Sequence, residues 1–229
     1  MPKKENIRQL FGSIAGDYDR LNHLMSLDVD KRWRKRAIRQ VEGASSVLDL
    51  ACGTGDFAIA IAKALPACHV TGVDLTEEML SVMAEKIAAE GLGDRISMEV
   101  GDGENLRFEE GSFDCVTIAF GIRNFENRAA GLREMLRVLR PGGKLVILEL
   151  SLPRNKFIRW CFNLYFLHIL PLIGGKISGD KGAYRYLPAS VLKFPGPADF
   201  MATLRECGFR NITHKPFSLG ICRMYTGEK

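Results

Sequence analysis

One stretch constrains this chain more than any other: Val47-Leu48-Asp49-Leu50-Ala51-Cys52-Gly53-Thr54-Gly55-Asp56. The apolar run from Ser46 to Ala51 has the length and β-branched start of a buried parallel strand. It enters a glycine turn and then Phe57-Ala58-Ile59-Ala60-Ile61-Ala62, which reads as a helix. Glycine suits such a turn because it tolerates φ > 0 and lets a ligand approach the backbone without meeting a Cβ. The helix that follows points free N–H groups back at the turn. A second apolar run, Val70-Thr71-Gly72-Val73, ends in Asp74, where a carboxylate can accept both hydroxyls of a ribose. The unit reads as nucleoside-binding α/β structure; a tight strand–helix turn without a ligand is the plainer alternative.

The acids narrow the choice of nucleoside. A dinucleotide site wants G-x-G-x-x-G so that pyrophosphate can sit on the helix start. Here Ala58 holds the third glycine position, and Asp49 stands just before the turn. An anion there repels pyrophosphate and attracts a sulfonium and an α-ammonium. With Asp49, Gly53, Gly55 and Asp74 so placed, the pattern resembles the S-adenosylmethionine site of Rossmann-like methyltransferases.

From residue 46 strands and helices alternate, which predicts a parallel sheet. After strand two a helix runs from Thr76, its N-cap, to about Glu90; strand three is Ile96 to Val100, followed by Gly101-Asp102-Gly103. Strand four is Phe113 to Phe120, followed by Gly121-Ile122-Arg123-Asn124. A helix from about Asn127 to Leu139 stops at a turn, Arg140-Pro141-Gly142-Gly143, and strand five is Lys144 to Leu150. Asp199 to Cys207 reads as the last helix, and Phe209–Phe217 with Leu219–Tyr225 as an antiparallel closing pair. The expectation is a seven-stranded, mostly parallel sheet with helices on both faces. Ligands of open parallel sheets sit beyond the carboxyl ends of the strands, where Asp49, Asp74, Asp102, Arg123 and Glu149 all fall.

Two segments depart from the alternation. Residues 1–45 look helical: Ile7, Leu10, Phe11 and Ile14 form one apolar stripe, and Trp33, Ala37, Ile38 and Val41 another, with the basic residues placed on the opposite face. Tyr18 to Ser26 mixes polar and large apolar side chains, as a lid or pocket wall does. Residues 152–197 form an insertion after strand five. Its apolar part, 157–173, contains Arg159, Asn163, His168 and Pro171, whereas a membrane span needs about 20 nearly uncharged residues. It reads as an apolar cap over the ligand edge, with a buried core helix as the alternative, and Ile177–Pro188 reads as a polar loop. The whole, residues 1–229, is expected to be one domain.

Net charge is +5, with basic residues gathered at Lys3, Lys4, Arg8 and from Lys31 to Arg39. Such a cluster fits a solvated helix face or an anionic membrane surface; without an aromatic platform or a motif, nucleic acid is not expected. The 6 cysteines are scattered with no C-x-x-C pair, so no metal site is expected. Reduced thiols and a polar, charged start suggest a cytoplasmic protein.

Several blocks together resemble the quinone-ring C-methyltransferases of ubiquinone and menaquinone biosynthesis, the demethylmenaquinone methyltransferase family. They are Tyr18-Asp19-x-Leu21-Asn22…Ser26…Trp33-Arg34, the Asp49–Asp56 turn, Phe120-Gly121-Ile122-Arg123-Asn124, Arg137 to Gly143 with Leu148-Glu149-x-Ser151, and Ile177-Ser178-Gly179-Asp180-Lys181…Tyr184-x-Tyr186-Leu187-Pro188. Leu21 stands where that family usually has methionine, and Asp30 where it usually has histidine, so Asp30 is given no role. The resemblance implies a Rossmann-like class I methyltransferase whose cofactor is held by Thr54, Asp74, Asp102 and Gly103. It implies methyl transfer to a ring carbon of a reduced polyprenyl quinone, demethylmenaquinol or 2-methoxy-6-polyprenyl-1,4-benzoquinol. Another lipid or small-molecule acceptor is the alternative. Carbon attack needs electron density from a ring oxygen; Arg123 and Asn124 are the candidates for polarising it, with Tyr18, His23, Asp180 and Tyr184 behind them. A prenyl tail keeps its quinol in the bilayer, which implies peripheral contact with the membrane, at its inner face.

Overall fold

The computed structural model describes residues 3–26, 28–166 and 181–229, and for residues 21, 24, 25 and 181–185 the backbone alone. Three helices, α1 (Lys4–Ile14), α2 (Tyr18–Ser26) and α3 (Val29–Ile38), precede the sheet. Alternation then begins with β1 (Ser46–Leu50), α4 (Asp56–Ala64), β2 (His69–Asp74), α5 (Glu77–Ala89) and β3 (Ile96–Val100). It continues through β4 (Phe113–Ala119), α6 (Arg128–Val138) and β5 (Leu139–Leu150). The chain adds α7 (Lys156–Leu164) and α8 (Lys181–Lys193), then closes with α9 (Pro197–Glu206), β6 (Arg210–Phe217) and β7 (Cys222–Glu228).

The seven strands lie in the order β3-β2-β1-β4-β5-β7-β6. The first five are parallel, while β7 pairs antiparallel with β5 and β6. The order reverses between β1 and β4, where a crevice opens at the carboxyl ends of the strands. Alternation along β1 sends Val47 to one face and Leu48 and Leu50 to the other. On the first face Val47 packs with Trp33, Phe57, Ile61, Leu80 and Met83 of α3, α4 and α5. On the second, Leu48 and Leu50 pack with Leu132, Met135, Phe200 and Leu204 of α6 and α9. Each fully buried side chain of this kind stabilises the fold by about 1.5–3 kcal/mol. A third cluster lies above the crevice: Ile14 and Ala15, Met79 of α5, Phe162 and Phe166, and Val191 of α8. It ties the N-terminal helices to the segment inserted after β5.

The chain departs from the expected elements in three places. Strand five begins at Leu139, because Leu139 already pairs with Phe113 before the register shifts to Cys115 beside Lys144. The Pro-Gly-Gly turn, with Gly142 at φ 76°, is thus an irregularity within one long strand. Residues 181–188, expected as loop, belong to α8, which carries Pro188 in its interior and buries Ser190 and Val191; tertiary packing outweighs the proline's lost N–H. Thr76 sits at the N-cap of α5 but its side chain makes no cap bond to that helix. Asn127 does cap α6, accepting from the Ala130 N–H, and Asn155 caps α7, accepting from Phe157 and Ile158; such caps contribute about 1 kcal/mol each.

Candidate functional site

The crevice holds a cavity of about 90 Å³ bounded by Gly53, Asp74, Asp102 and Gly103 from the strand ends and by Phe11 and Tyr18 from the N-terminal helices. Asp74 is nearly buried and its carboxylate is held from both sides: the Gly53 N–H donates to Oδ2 (2.8 Å) and the Thr76 N–H to Oδ1 (2.9 Å). Burial nevertheless raises its pKa. Gly103 is needed because a Cβ there would meet the Phe125 ring at 2.6 Å. Asp102 accepts from Lys4 Nζ (2.6 Å) and from the Glu104 N–H (2.9 Å), so α1 is fastened across that end of the cavity.

Beside it lies a smaller space of about 30 Å³ lined by Asp49, Gly53, Thr54, Tyr18, Arg34 and Phe120. Asp49 is 1% exposed. The Thr117 hydroxyl donates to its Oδ1 (2.7 Å), while Oδ2 has no partner among the described residues. Burial pushes the Asp49 pKa up to about 7. Thr54 donates its hydroxyl to Asp19 of α2, which Lys86 grips at 2.7 Å; the hydroxyl expected for the cofactor is bonded to α2 in this structure. Gly55 lines none of these spaces. Its φ of 83° and a hypothetical Cβ 2.5 Å from Met83 Cγ make it a shaper of the turn. The chemistry of this edge fits S-adenosylmethionine: a fixed carboxylate for two hydroxyls, a glycine-bared backbone, and an orphaned buried carboxylate oxygen for a cation.

Against the same edge stands a larger cavity of about 220 Å³, walled by Val29, Trp33, Phe120, Leu150, Phe162 and Leu187. The Phe162 and Phe166 rings stack with centroids 4.6 Å apart. Tyr18 and Phe120 line both this cavity and the crevice. Polar groups reach this cavity from Asn22, Ser26, Asp30, Arg34, Arg123 and Ser218.

The expected catalytic residues divide. Arg123 lines the apolar cavity but is committed to the protein: Nη1 pairs with the fully buried Glu149 (2.9 Å) and donates to the Phe120 carbonyl, and Nε donates to Ser190 (3.3 Å). Asn124 lines the crevice, its Oδ1 accepting from the Tyr186 hydroxyl (2.9 Å). Tyr18 lies where all three spaces meet, and burial raises its pKa. His23 is a correction: it does not line the apolar cavity, and its ring faces Asp30 (3.3 Å) and Asp56 (3.4 Å). These three residues bring potential ligand atoms within 4.8 Å of one another, but Arg34 and Lys86 already neutralise the carboxylates. Asp180 and the Tyr184 side chain lie outside the described residues.

Sequence reasoning missed Asp30 and misplaced Arg34. Arg34 was expected on a solvated face, and both are buried, at 9% and 4% exposure for Arg34 and Asp30. The signal was there: Asp30, Trp33, Arg34, Ala37, Ile38 and Val41 follow one helical stripe, so two charges sit in the apolar face.

The ubiE/COQ5 methyltransferase family matches residues 1–229. The ubiquinone/menaquinone biosynthesis C-methyltransferase UbiE of Geobacter sulfurreducens is 46% identical over 99% of this chain and 90% of its own length. Demethylmenaquinone methyltransferase of Porphyromonas gingivalis is 43% identical over 100% of this chain and 94% of its own. Among solved structures, an S-adenosylmethionine-dependent methyltransferase from Thermotoga maritima superposes with a TM-score of 0.69 at 16% identity, covering 97% of this chain and 99% of that one; this likeness speaks for the fold.

Proposed function

The chain belongs to the ubiE/COQ5 methyltransferase family, and from that premise we propose that it methylates a ring carbon of a reduced polyprenyl quinone. It is an S-adenosylmethionine-dependent methyltransferase. Its proposed acceptors are demethylmenaquinol and 2-methoxy-6-polyprenyl-1,4-benzoquinol. The observation that carries the acceptor class is the apolar cavity set directly against the cofactor crevice, with Tyr18 and Phe120 lining both.

S-adenosylmethionine, held by Asp49, Asp74, Asp102 and Gly103, would supply an electrophilic methyl group with a neutral thioether as its leaving group, and the ring carbon that accepts it would give up its proton. In this reading the protein places the reactants and excludes water, which is where most of the acceleration of such a transfer originates. Asp74 would take the ribose, Asp102 and Gly103 would bound the adenine, and Asp49 would face the cationic end. Arg123, held by Glu149, supports the Phe120 carbonyl between the two cavities. Asn124, held by Tyr186, lines the crevice.

A bilayer-resident substrate asks for contact with the membrane surface. No helix among the described residues is long and apolar enough to cross a membrane. Helix α7, however, turns Phe162 into the cavity and leaves Phe157 (70% exposed), Trp160 (61%) and Leu164 outward, flanked by Lys156 and Arg159. Such a face suits shallow insertion at the inner surface of an anionic membrane.

The decisive experiment offers labelled S-adenosylmethionine with reduced demethylmenaquinone and, separately, the reduced methoxybenzoquinone, both in vesicles. Label on a ring carbon supports the reading, and the ratio of rates names the preferred acceptor; label on neither overturns it. Docking through α7 is overturned if F157S/W160S leaves turnover of vesicle-embedded quinol unchanged.

A further inference from the structure

The turn that joins β6 to β7 carries a leucine where its backbone favours glycine or asparagine. Ser218, Leu219 and Gly220 follow one another at φ 45°, 58° and 95°. Hairpin turns that need positive φ are ordinarily built from Asn, Asp and Gly, and a bulky side chain held there is strained. The fold fixes the turn from three sides. The Trp33 Nε1–H donates to the Ser218 hydroxyl (3.0 Å), the Ser151 hydroxyl to the Gly220 carbonyl (2.6 Å) and the Ser151 N–H to the Ile221 carbonyl (2.8 Å). Leu219 itself is 74% exposed, and among the described residues no large apolar side chain is more so. Neither the strain nor the exposure stabilises the folded chain, so the leucine serves a contact outside it.

The surroundings of the turn identify that contact. Ser218 and Ile221, which flank Leu219 and Gly220, line the 220 Å³ cavity. Ser218 is the exposed residue of its described wall, so the cavity reaches the surface beside this turn. Gly220 packs on Pro153: a Cβ built on it would lie 3.6 Å from the Pro153 Cα. The Pro153 carbonyl accepts from Arg159 Nε of α7 (2.8 Å), the helix whose Phe157, Trp160 and Leu164 face outward. On the other side, the Arg36 guanidinium of α3 lies 5.4 Å from the centroid of the Phe217 ring. Arg36, Arg154, Lys156 and Arg159 are all exposed, and neither 150–166 nor 207–227 contains an Asp or Glu. Apolar tips among cations, on segments free of acids, suit the interface of an anionic bilayer.

Resting on the membrane-resident acceptor proposed above, we propose that the β6–β7 turn is a second docking point, at which Leu219 inserts into an anionic lipid surface beside α7. The acceptor's tail then passes between this turn and α7 into the bilayer, while its ring stays in the cavity. Two contacts fix the tilt of the protein on the membrane, which one helix alone leaves free, and set the cavity mouth against the lipid.

The test measures binding of the full chain to vesicles of phosphatidylcholine, with and without phosphatidylglycerol, that hold no quinol. Leu219→Asn is expected to lower partitioning onto the phosphatidylglycerol vesicles by about 3- to 10-fold, as the loss of one lipid-buried leucine does. It is expected to melt at the same or a higher temperature, because asparagine tolerates the left-handed conformation. Leu219→Trp keeps the strain and enlarges the apolar tip, and should partition more strongly. Unchanged partitioning in Leu219→Asn overturns the docking point. A Tm lowered by about 5 °C or more returns Leu219 to the fold and overturns it too. Equal binding of the wild type to both vesicles overturns the anionic surface, and a dimer that Leu219→Asn dissociates assigns the turn to a second copy instead. Because the vesicles hold no quinol, the result is separate from the acceptor's identity. Leu219-dependent binding with no quinol methylation leaves the docking point and removes the acceptor; methylation with binding indifferent to Leu219 does the reverse.

Discussion

The two cavities that meet at Tyr18 and Phe120 are built in opposite ways. The crevice proposed for the cofactor is made largely of strand ends and the turns that follow them: Asp74 closes β2, and Gly53, Asp102, Gly103 and Asn124 stand within five residues beyond a strand. The apolar cavity is assembled from α2, α3, α7, α8 and the turn at Ser218, segments that lie far apart in the chain. The first depends on backbone conformation and a few carboxylates, the second on the filling of space by side chains. Damage to the first should therefore be sharp and specific to the cofactor; damage to the second should be graded and specific to the acceptor.

The largest effect is expected at Gly55. In Gly55→Ala a non-glycine residue is forced to positive φ and its Cβ drives into Met83. Strain and overpacking together cost about 2–5 kcal/mol, which a thermal melt should show as a Tm lowered by roughly 5–15 °C. An unchanged melt would mean that the turn can relax, and that its geometry is less demanding than the crevice implies. Next comes Asp74→Ala, which removes the proposed ribose acceptor and orphans the Gly53 and Thr76 N–H groups. Calorimetry should show S-adenosylmethionine binding weakened by about 10- to 100-fold, with naphthoquinone affinity within twofold of wild type.

Phe162→Leu probes the other side. It thins the apolar wall while keeping most of its volume, at a stability cost of about 1 kcal/mol. The acceptor KM should rise about three- to tenfold while cofactor affinity stays put; a change in cofactor affinity instead would break the division between the two cavities. The smallest effect concerns pH. Burial pushes the Asp49 pKa up to about 7, and a cationic ligand beside it would restore the ionised form. Cofactor binding then expels a proton, so affinity should climb several-fold from pH 5.5 to about 7 and flatten above it. The sign for folding is the reverse: with its pKa raised above the unfolded value of about 3.9, Asp49 makes the free protein less stable as pH rises from about 4 to about 7. In Asp49→Asn both dependences should be lost.

The same division governs what could be read from the residues in order. Asp49, Gly53, Asp74 and Gly103 were legible because a parallel strand followed by a glycine turn places its terminal residues at the ligand edge whatever packs around it. Thr54 was legible as a residue of the turn, but its bond to Asp19 was not, since that bond spans 35 positions and depends on how α2 lies over the turn. His23 looked like a catalyst beside Tyr18, yet a helix residue's partners depend on which way the helix is rotated, and α2 turns His23 toward Asp30 and Asp56. The helix over 181–188 was hidden by its own glycine and proline, which argue locally for a loop.

By itself the amino-acid sequence determined the doubly wound sheet, the turn after β1 and the acids at the strand ends, because strand and helix periodicities and glycine's conformational freedom act over a few residues. Only the tertiary structure decided which charged side chains are buried at the cavity wall and what holds them there. Arg123 and Arg34 are both buried arginines at the wall of one cavity. What separates them is whether a distant partner, Glu149 and Ser190 in one case and none for Nε in the other, has already taken the donor. Hydrogen-bond capacity is finite, and how it is shared is settled only when the chain has folded.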